Sequence, residues 1–321
     1  MKQPDVIIIG AGIIGAACAE ALSARGLQVL VIEQDVPGSG ATAAGMGHLV
    51  VMDDNPAELA LSSYSLALWK QLTEGQAQQH EYTQCGTIWV AADEEEMAAA
   101  RAKAELLSAH GLACEMLAPA ALYATEPQLR AGLAGGLLVH GDGLVYAPKS
   151  ARLLLSKAQA RGATLEYGVV QAIEDHGVQL ADGRTLQAQH VLLAAGSRCS
   201  QLLAELPLQA KKGHLAITDR YPGFIRHQLV ELGYIKSAHA ASGDSVAFNL
   251  QPRPTGQILI GSSRQFGSAD PAVETPILRA MLRHAVSFTP ALAGHNILRC
   301  WTGLRAATPD GLPLIGAHPA R

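Results

Sequence analysis

Charged residues, cysteine pairs and long hydrophobic runs are all scarce in this 321-residue chain, and each shortage excludes a class of protein. Only 16% of the residues are charged and the formal net charge is −4, which disfavours nucleic acid as a partner. No apolar run approaches the roughly 18 residues of a membrane-spanning helix, so we expect no transmembrane segment. The five cysteines form no CxxC pair, which is typical of a protein from a reducing compartment.

Signals for secretion and for metal binding are missing as well. Residues 1–5 lead directly into an apolar strand, without a charged n-region, a longer apolar segment or a cleavage site. We therefore expect a cytoplasmic protein, and peripheral attachment to the inner membrane stays open. The twelve histidines form no HExxH or HxH pair, which predicts that the protein has no metal site. What the chain does have is 49% hydrophobic residues and 32 glycines, enough for a large core and many tight turns.

A glycine-rich loop near the N-terminus is the strongest motif. Asp5–Ile9 is predicted to be a buried strand, and the sequence Gly10-Ala-Gly-Ile-Ile-Gly15 follows it directly. A small-residue helix over 16–25 and a second strand over 28–32 come next, and this strand ends at Glu33. A GxGxxG loop between a strand and a helix, with an acidic residue at the end of the next strand, indicates a dinucleotide-binding unit.

Each residue of this motif has a physical role in the expected unit. Gly10 permits the turn, Gly12 lets the backbone approach a pyrophosphate, and Gly15 lets the helix pack closely on the strand. The helix N-terminus offers N–H groups and a positive dipole end to phosphates. The Glu33 carboxylate can accept hydrogen bonds from ribose hydroxyls. The alternative is a glycine-rich turn that binds no ligand.

The segment from Gly40 to Gly47 bears on which dinucleotide is bound. It consists almost entirely of glycine, alanine and other small residues, at a place where NAD enzymes usually continue a regular βαβ unit. Small side chains let the backbone approach a flat ring system, which suits the isoalloxazine of FAD. An NAD-dependent dehydrogenase is the disfavoured alternative, and a flexible loop is another interpretation of this segment.

The rest of the chain alternates between helix–strand segments and runs of strands. Helices are predicted at Pro56–Thr73, Glu94–His110, Pro148–Arg161 and Thr275–Phe288. Asp182-Gly183 indicates a hairpin, and residues 190–197 read as a buried strand ending in a glycine turn. Segments 208–218, 229–235, 246–250 and 257–261 read as strands of an antiparallel sheet. The alternation predicts two interleaved domains.

Four pieces of the sequence together resemble the D-amino acid oxidase family of FAD-dependent amine and amino-acid oxidoreductases. They are the N-terminal unit with Glu33, the segment Gly40–Gly47, the strand Val191–Gly196, and Gly303-Leu-Arg305 followed by Thr308–Pro313. The match extends over nearly the whole chain and is similar to the glycine oxidase and D-hydroxyproline dehydrogenase branches. Segment 248–266 looks closer to the latter.

The resemblance implies an α/β fold, with a Rossmann-type FAD-binding domain and an interleaved antiparallel-sheet substrate domain. The implied FAD-binding domain comprises residues 1–80, 141–210 and 298–321, and the substrate domain comprises 81–140 and 211–297. The implied activity is oxidation of the C–N bond of a small amino or imino acid, of the D-amino acid, D-hydroxyproline, glycine or sarcosine type. Hydride would pass to flavin N5, and the imine product would then hydrolyse.

The resemblance also implies site residues. FAD contacts are expected from Gly10, Gly12, Ile14, Gly15, Glu33, Gln34, Thr42, Ala44, Gly45, Met46, Gly47, Val170, Ala195, Gly196 and Gly303. Val170 matches the strand whose backbone contacts adenine. Gly303 stands where some relatives carry a cysteine that attaches FAD, and Cys300 does not align there, so we expect FAD to be non-covalent.

Two residues are candidates for the reaction itself. Arg305 matches the arginine that grips the substrate carboxylate in the glycine oxidase branch, and the alternative is a structural ion pair. His48 follows the small-residue segment and could serve as a base or orient the amine, or could be a core or surface histidine. Arg253, Arg264 and Tyr234 are weaker candidates for the substrate pocket.

A second class of function stays open. Members of the family continue beyond a segment such as Pro313–Gly316 with a strand and a helix, whose N-terminal dipole faces the flavin pyrimidine. Here that element is absent, so either the sequence is a truncated version or the protein works without it, which bears on FAD affinity and activity. The alternative function is a non-catalytic or electron-transferring subunit with this fold in a hetero-oligomeric dehydrogenase. Homo-oligomers and hetero-oligomers both stay open.

Overall fold

The computed structural model describes residues 3–52, 55–233 and 244–318. These residues pack into two compact units that interleave along the chain. The first unit contains the described residues up to Gly45, together with Tyr146–Lys211 and the residues from Leu304 onward. The second unit contains Met46–Val145 and Lys212–Gly303.

Helices and strands alternate through both units, and the described elements are named here in chain order. The α-helices are α1 (Ile13–Ser23), α2 (Ala41–Ala44), α3 (Pro56–Thr73), α4 (Ala77–His80), α5 (Glu94–Ala109), α6 (Pro119–Thr125), α7 (Ala147–Ala160), α8 (Cys199–Leu202) and α9 (Thr275–Phe288). The first strands are β1 (Val6–Ile9), β2 (Val29–Glu33), β3 (His48–Leu49), β4 (Thr87–Ala91), β5 (Cys114–Leu117), β6 (Gly135–Val139), β7 (Gly143–Leu144), β8 (Thr164–Tyr167) and β9 (Val170–Glu174). The later strands are β10 (Gly177–Leu180), β11 (Thr185–Gln187), β12 (His190–Leu193), β13 (Gln209–Arg220), β14 (Gln228–Glu231), β15 (Ser245–Pro252), β16 (Gln257–Phe266) and β17 (Ile297–Ala307).

A four-stranded parallel sheet organises the first unit, in the order β12-β1-β2-β8. Every residue of β1 is buried, which explains why its sequence is a continuous apolar run without polar alternation. Ile7, Ile9 and Ile32 form one cluster with Val178 and Leu180 of the adjoining three-stranded antiparallel sheet, β11-β10-β9. The Rossmann-type expectation is confirmed.

An eight-stranded sheet dominates the second unit, in the order β17-β13-β16-β15-β14-β4-β6-β5. The pairs β15–β16, β14–β15, β4–β6 and β5–β6 are antiparallel, whereas β14 pairs with β4 in parallel. α9 packs the buried face of Met281, Ala285 and Phe288 onto this sheet, and the Phe288 ring stacks on Phe248 with centroids 4.4 Å apart.

Three features differ from the sequence predictions. The small-residue segment 40–47, for which a flexible loop was the alternative interpretation, contains the short helix α2. β17 extends over eleven residues where the sequence suggested only a terminal motif. Segment 46–80, which the sequence placed with the FAD-binding domain, packs in the second unit. The functional assignment of the two domains stays a prediction. None of the described helices is long and apolar enough to cross a membrane.

Candidate functional site

The GxGxxG loop leaves no room for side chains at two of its glycines. Gly10 has φ +102°, and a Cβ atom there would lie 2.6 Å from the Ala194 carbonyl oxygen. A Cβ atom at Gly15 would lie 1.9 Å from the Gly10 carbonyl oxygen. These two glycines therefore bring β1, α1 and the end of β12 into backbone contact, as a dinucleotide-binding turn requires.

The start of α1 is open to a ligand. Ile14, in its first turn, is 64% exposed, and no acidic side chain lies in that turn. The N–H of Ile13 donates to the hydroxyl oxygen of Thr42 at 3.0 Å, and a Cβ atom at Gly12 would lie 3.2 Å from the same oxygen. Thr42 thus lies directly beside the helix start, where a phosphate would meet the positive end of the helix dipole.

Glu33 is held at the end of β2 by two backbone groups. Its Oε2 accepts a hydrogen bond from the N–H of Ala11 at 2.6 Å, and its Oε1 accepts one from the N–H of Asp35 at 2.9 Å. Each carboxylate oxygen has two lone-pair sites, so both retain capacity for a ribose hydroxyl. The carboxylate therefore stabilises the glycine loop and remains suitable for nucleotide recognition.

The other predicted residues of the first unit lie around this loop. The N–H of Gly168 donates to the Glu33 carbonyl at 2.9 Å, which places the start of β9, at Val170, near the acidic residue. The turn after β12 contains Ala195 and Gly196 and leads into Arg198, whose guanidinium donates to the Gln34 side chain. Arg198 is not among the residues predicted from the sequence.

Gly45 ends the first unit, and Met46, Gly47 and His48 begin the second. Gly47 has φ +73°, and a Cβ atom there would lie 2.0 Å from the carbonyl oxygen of Val145. The N–H of Val145 donates to the Gly47 carbonyl at 2.9 Å, and His48 pairs with Leu144 in the small β3–β7 sheet. The backbone of Gly47 and His48 is therefore fixed by the segment that precedes α7. Within the same unit, Met46 lies against Gly261.

Gly303 and Arg305 lie on β17, where Gly303 ends a segment of the second unit and Arg305 belongs to the first. Arg305 is exposed, yet the protein around its guanidinium removes part of its hydration and lowers its pKa. An arginine stays protonated despite such a shift, so Arg305 is an exposed cation.

The weaker candidates for the substrate pocket differ in their surroundings. The Arg253 side chain is 8% exposed, donates to the Val145 carbonyl at 3.4 Å, and lies 3.9 Å from the Glu81 carboxylate, which indicates a structural role. Arg264 lies on β16 and is half-buried. Tyr234 lies outside the described residues. Within the described ranges, no group of three or more His, Cys, Asp or Glu residues is arranged to hold a metal ion.

The geometry of the first unit fits an FAD molecule. The closely packed Gly10 and Gly15 form the turn, the helix start is suited to a pyrophosphate, and the Glu33 carboxylate has acceptor capacity suited to a ribose. The small residues of segment 40–45 surround Thr42 at the same helix start.

Comparison with known proteins agrees with FAD as the cofactor. The family model described as FAD dependent oxidoreductase (DAO) matches residues 5–321. The glycine oxidase of Geobacillus kaustophilus is 30% identical over 333 residues, covering 99% of this chain and 85% of that protein. The glycine oxidase of Pseudomonas putida is 30% identical, covering 98% of this chain and 86% of that protein.

Solved structures share the fold over the whole chain. The crystal structure of the Geobacillus kaustophilus glycine oxidase superposes with a TM-score of 0.88 at 27% identity, covering 100% of this chain and 87% of that one. The L-proline dehydrogenase of P. horikoshii has a TM-score of 0.85 at 24% identity, covering 98% and 85%. With the glycine loop, the Glu33 acceptors and the parallel sheet, these matches show that the chain belongs to the DAO family of FAD-dependent oxidoreductases.

Proposed function

We propose that this protein oxidises the C–N bond of a small amino or imino acid, with glycine and its N-substituted or D-configured relatives as the substrate class. The observation that carries the proposal is the position of Arg305 on β17, two residues after Gly303. The sequence relatives support the same chemistry, since two that are 30% identical over almost the whole chain are glycine oxidases.

The residues of the first unit would hold FAD without a covalent bond. Gly12 and the start of α1 would receive the pyrophosphate, Glu33 the ribose, and the backbone near Val170 the adenine. Gln34, Ala44, Gly45, Ala195 and Gly196 of the same unit would complete the surroundings. When bound, FAD supplies the two-electron acceptor that no protein side chain provides.

Arg305 would bind and orient the substrate. A guanidinium forms two parallel hydrogen bonds with a carboxylate, which fixes both the position and the rotation of the α-carbon. Fixing the α-carbon supplies catalysis through proximity and orientation.

His48 would act on the amine. The backbone of His48 is tied to Leu144, so its imidazole starts from a fixed strand position. A neutral imidazole nitrogen there would accept the proton of the substrate ammonium, leaving the neutral amine that oxidation requires.

The cofactor and the substrate can be tested in sequence. Purified protein should show flavin absorption bands, and acid precipitation should release all of the flavin into the supernatant if it is non-covalent. Anaerobic addition of glycine, sarcosine, D-amino acids or D-hydroxyproline should then bleach the bands. A protein that binds flavin and is bleached by none of these substrates would contradict the proposed activity.

Removal of the Arg305 guanidinium tests the site directly. Arg305→Ala should raise KM for carboxylate substrates by about 100-fold or more, because a charge-assisted bidentate pair contributes about 3 kcal/mol. The flavin content should change little. Arg299→Ala is the matched control, because Arg299 lies exposed on the same strand with its guanidinium over the Trp301 ring. An unchanged KM in Arg305→Ala removes this residue from the site.

A second function has a specific observation in its favour. The hydrogen cyanide synthase component HcnC of Pseudomonas protegens and one of the opine oxidase subunits of Rhizobium meliloti are each 26% identical over 98% of this chain. A role as an electron-transferring subunit predicts that the flavin is bleached only when a partner chain is present. If a single amino acid bleaches the flavin of the isolated chain, the result supports an amino-acid oxidising enzyme and contradicts a role as an electron-transferring subunit.

A further inference from the structure

Two glutamine side chains lie completely buried on neighbouring strands of the second unit. Gln228 on β14 and Gln251 on β15 are each 0% exposed. The register of these antiparallel strands pairs Leu229 with Leu250, so the adjacent position places Gln228 opposite Gln251. Glutamine is mostly a surface residue, and a buried amide destabilises the fold unless it is hydrogen-bonded. The partners of these two amides therefore show what the pair does.

The two amides form one hydrogen-bonded chain with a defined direction. Gln228 Nε2 donates to the carbonyl oxygen of Gly143 at 2.8 Å, and Gln251 Nε2 donates to Gln228 Oε1 at 3.1 Å. A carbonyl oxygen can only accept, so Gly143 determines which end of the Gln228 amide is the NH₂ group. The Gln228 oxygen determines the orientation of the Gln251 amide in the same way. The chain thus runs from the interior of the large sheet to the backbone of β7, which contains Gly143.

Strand β7 is the pairing partner of His48. Its residue Leu144 lies opposite His48 in the β3–β7 sheet, and each of these strands contains only two residues. On the other side, the N–H and the carbonyl of Leu144 are bonded to the backbone of Thr83, at 2.9 and 3.0 Å. Few backbone hydrogen bonds hold so small a sheet. The bond from Gln228 therefore contributes directly to the position of β7.

The amide chain is a poor way to stabilise the fold. Gln251 Oε1 is buried and has no hydrogen-bond partner among the described residues, and the same is true of the Thr87 hydroxyl on β4, opposite Gln228. A buried acceptor without a partner is destabilising, whereas apolar side chains of the same shape at both glutamine positions are nearly neutral or stabilising. A buried polar network does, however, specify one arrangement of the backbone that it contacts.

We infer that Gln228 and Gln251 are positioning residues for His48, which hold β7 and through it the backbone of His48. The inference rests on the proposed function, in which a proton leaves the substrate ammonium nitrogen and is taken up by the imidazole of His48. Gln228 acts on β7 directly, and Gln251 acts by orienting Gln228. Proton transfer depends on the geometry between base and substrate, so displacement of His48 lowers kcat. The substrate carboxylate is assigned to Arg305, so KM is affected little.

The isosteric double variant Gln228→Met/Gln251→Met tests the inference in the flavin-loaded full chain. Methionine keeps the side-chain volume and removes both amides, so the urea midpoint should stay near the native value. For the amino acid that bleaches the native flavin, kcat should fall at least about tenfold and KM should stay within about twofold, because a misplacement of about 1 Å can cost about 100-fold in rate. A native kcat in this variant overturns the inference.

Gln257→Met is the matched control. Gln257 is half-buried on β16 of the same unit, and its Nε2 donates to the Thr218 carbonyl at 3.5 Å, away from β7. The control should keep the native kcat, and an equal loss of kcat in Gln257→Met overturns the inference. Gln251→Met alone leaves the bond from Gln228 to Gly143 possible, so it should lower kcat less than Gln228→Met does.

A double-mutant cycle with His48 separates positioning from a general structural effect. His48→Asn should itself lower kcat, and Gln228→Met added to His48→Asn should lower it no further. The loss in Gln228→Met alone should also diminish as the pH rises, because the substrate then arrives as the neutral amine and needs no base. An additive loss in the cycle, or a loss that is equal at every pH, overturns the inference.

Hydrogen exchange tests the position of β7 without any reaction. The N–H groups of Leu144 and Val145 should exchange at least about tenfold faster in Gln228→Met than in the native chain, and at the native rate in Gln257→Met. If His48→Asn keeps the native kcat, or no amino acid bleaches the flavin, the proposed function fails and the inference fails with it. If His48→Asn is impaired while Gln228→Met keeps native exchange, only the inference is overturned.

Discussion

At the residue scale, Glu33 has two structural partners in addition to its proposed ligand. Its carboxylate accepts from Ala11 N–H in the glycine loop and from Asp35 N–H after β2. A ribose-binding acid that also fixes the phosphate loop links two parts of one binding site. Its removal should therefore affect the protein even without nucleotide.

We expect Glu33→Gln to lower the free energy of unfolding of the FAD-free protein by about 1–3 kcal/mol. A glutamine amide has one oxygen and one NH₂ group, so one of the two backbone N–H donors would face another donor. Urea unfolding measures the change. Glu105→Gln, at an exposed position on α5, should stay within about 0.5 kcal/mol. If the two variants are equally stable, the Glu33 carboxylate does not support the loop.

The close packing at Gly15 gives a second prediction at the residue scale. A Cβ atom at Gly15 would overlap the Gly10 carbonyl oxygen, so Gly15→Ala must push the loop away from α1. The expected cost is about 1–3 kcal/mol of stability together with loss of flavin from the purified protein. At Gly141 a Cβ atom meets nothing within 4 Å, so Gly141→Ala should keep both stability and flavin. A Gly15→Ala protein with full flavin content would refute the close approach.

At the element scale, a histidine–carboxylate pair ties α9 to the sheet of the second unit. His284 Nε2 lies 2.9 Å from both carboxylate oxygens of Glu231 on β14, and Glu231 Oε1 also accepts from the N–H of Phe248. The hydrogen bond to Glu231 raises the pKa of His284, against the opposing effect of burial. The pair therefore contributes stability while the imidazole is protonated.

A pH dependence follows with a definite sign. Because the folded-state pKa of His284 exceeds its unfolded value of about 6.5, the contribution is fully present below that value and is lost as the pH rises through the folded pKa. His284→Asn should therefore destabilise the protein more at pH 5.5 than at pH 9, as measured by urea unfolding. His176→Asn, at an exposed position, should show no such difference. An equal effect of His284→Asn at both pH values would exclude the linkage.

Most elements were predictable from the sequence because their periodicity and end signals agree with their final packing. Helix α3 was predicted with its observed bounds, since Pro56 marks its start and its apolar spacing is helical. The sequence could not show that Leu59 is buried while Leu61 and Leu68 stay exposed, because all three fit the helical period. β17 was missed as a strand because glycine, proline and polar residues around Gly303 and Thr308 resemble a loop.

At the scale of the whole molecule, the chain passes four times between its two compact units, after Gly45, Val145, Lys211 and Gly303. The interleaving was predictable, because helix–strand segments alternate with runs of strands. The placement of 46–80 in the second unit was not, since packing partners far apart in sequence decide it. The same limit applies to Arg198, whose partner Gln34 lies 164 residues away.

Thermal unfolding of the whole protein measures its preference for FAD over NAD. FAD at 100 times its dissociation constant should stabilise the FAD-free protein by about 2.7 kcal/mol, because it binds only the folded chain. The Tm should therefore rise with FAD concentration. NAD shares the adenosine half of FAD and is the matched control, and it should produce a much smaller rise at the same concentration. An equal rise with NAD would contradict the preference for flavin.

The strand order of the parallel sheet has a consequence for synthesis on the ribosome. β1 and β2 occupy the middle of the order β12-β1-β2-β8, yet they are translated first, and both outer strands follow more than 130 residues later. At about 5–20 residues per second, the interval between β2 and β8 lasts about 7–26 s. During that time the outer edges of the β1–β2 pair have no neighbours from their own sheet. The nascent chain therefore exposes two unpaired strand edges to chaperones, and to other nascent chains, long before β8 and β12 can complete the parallel sheet.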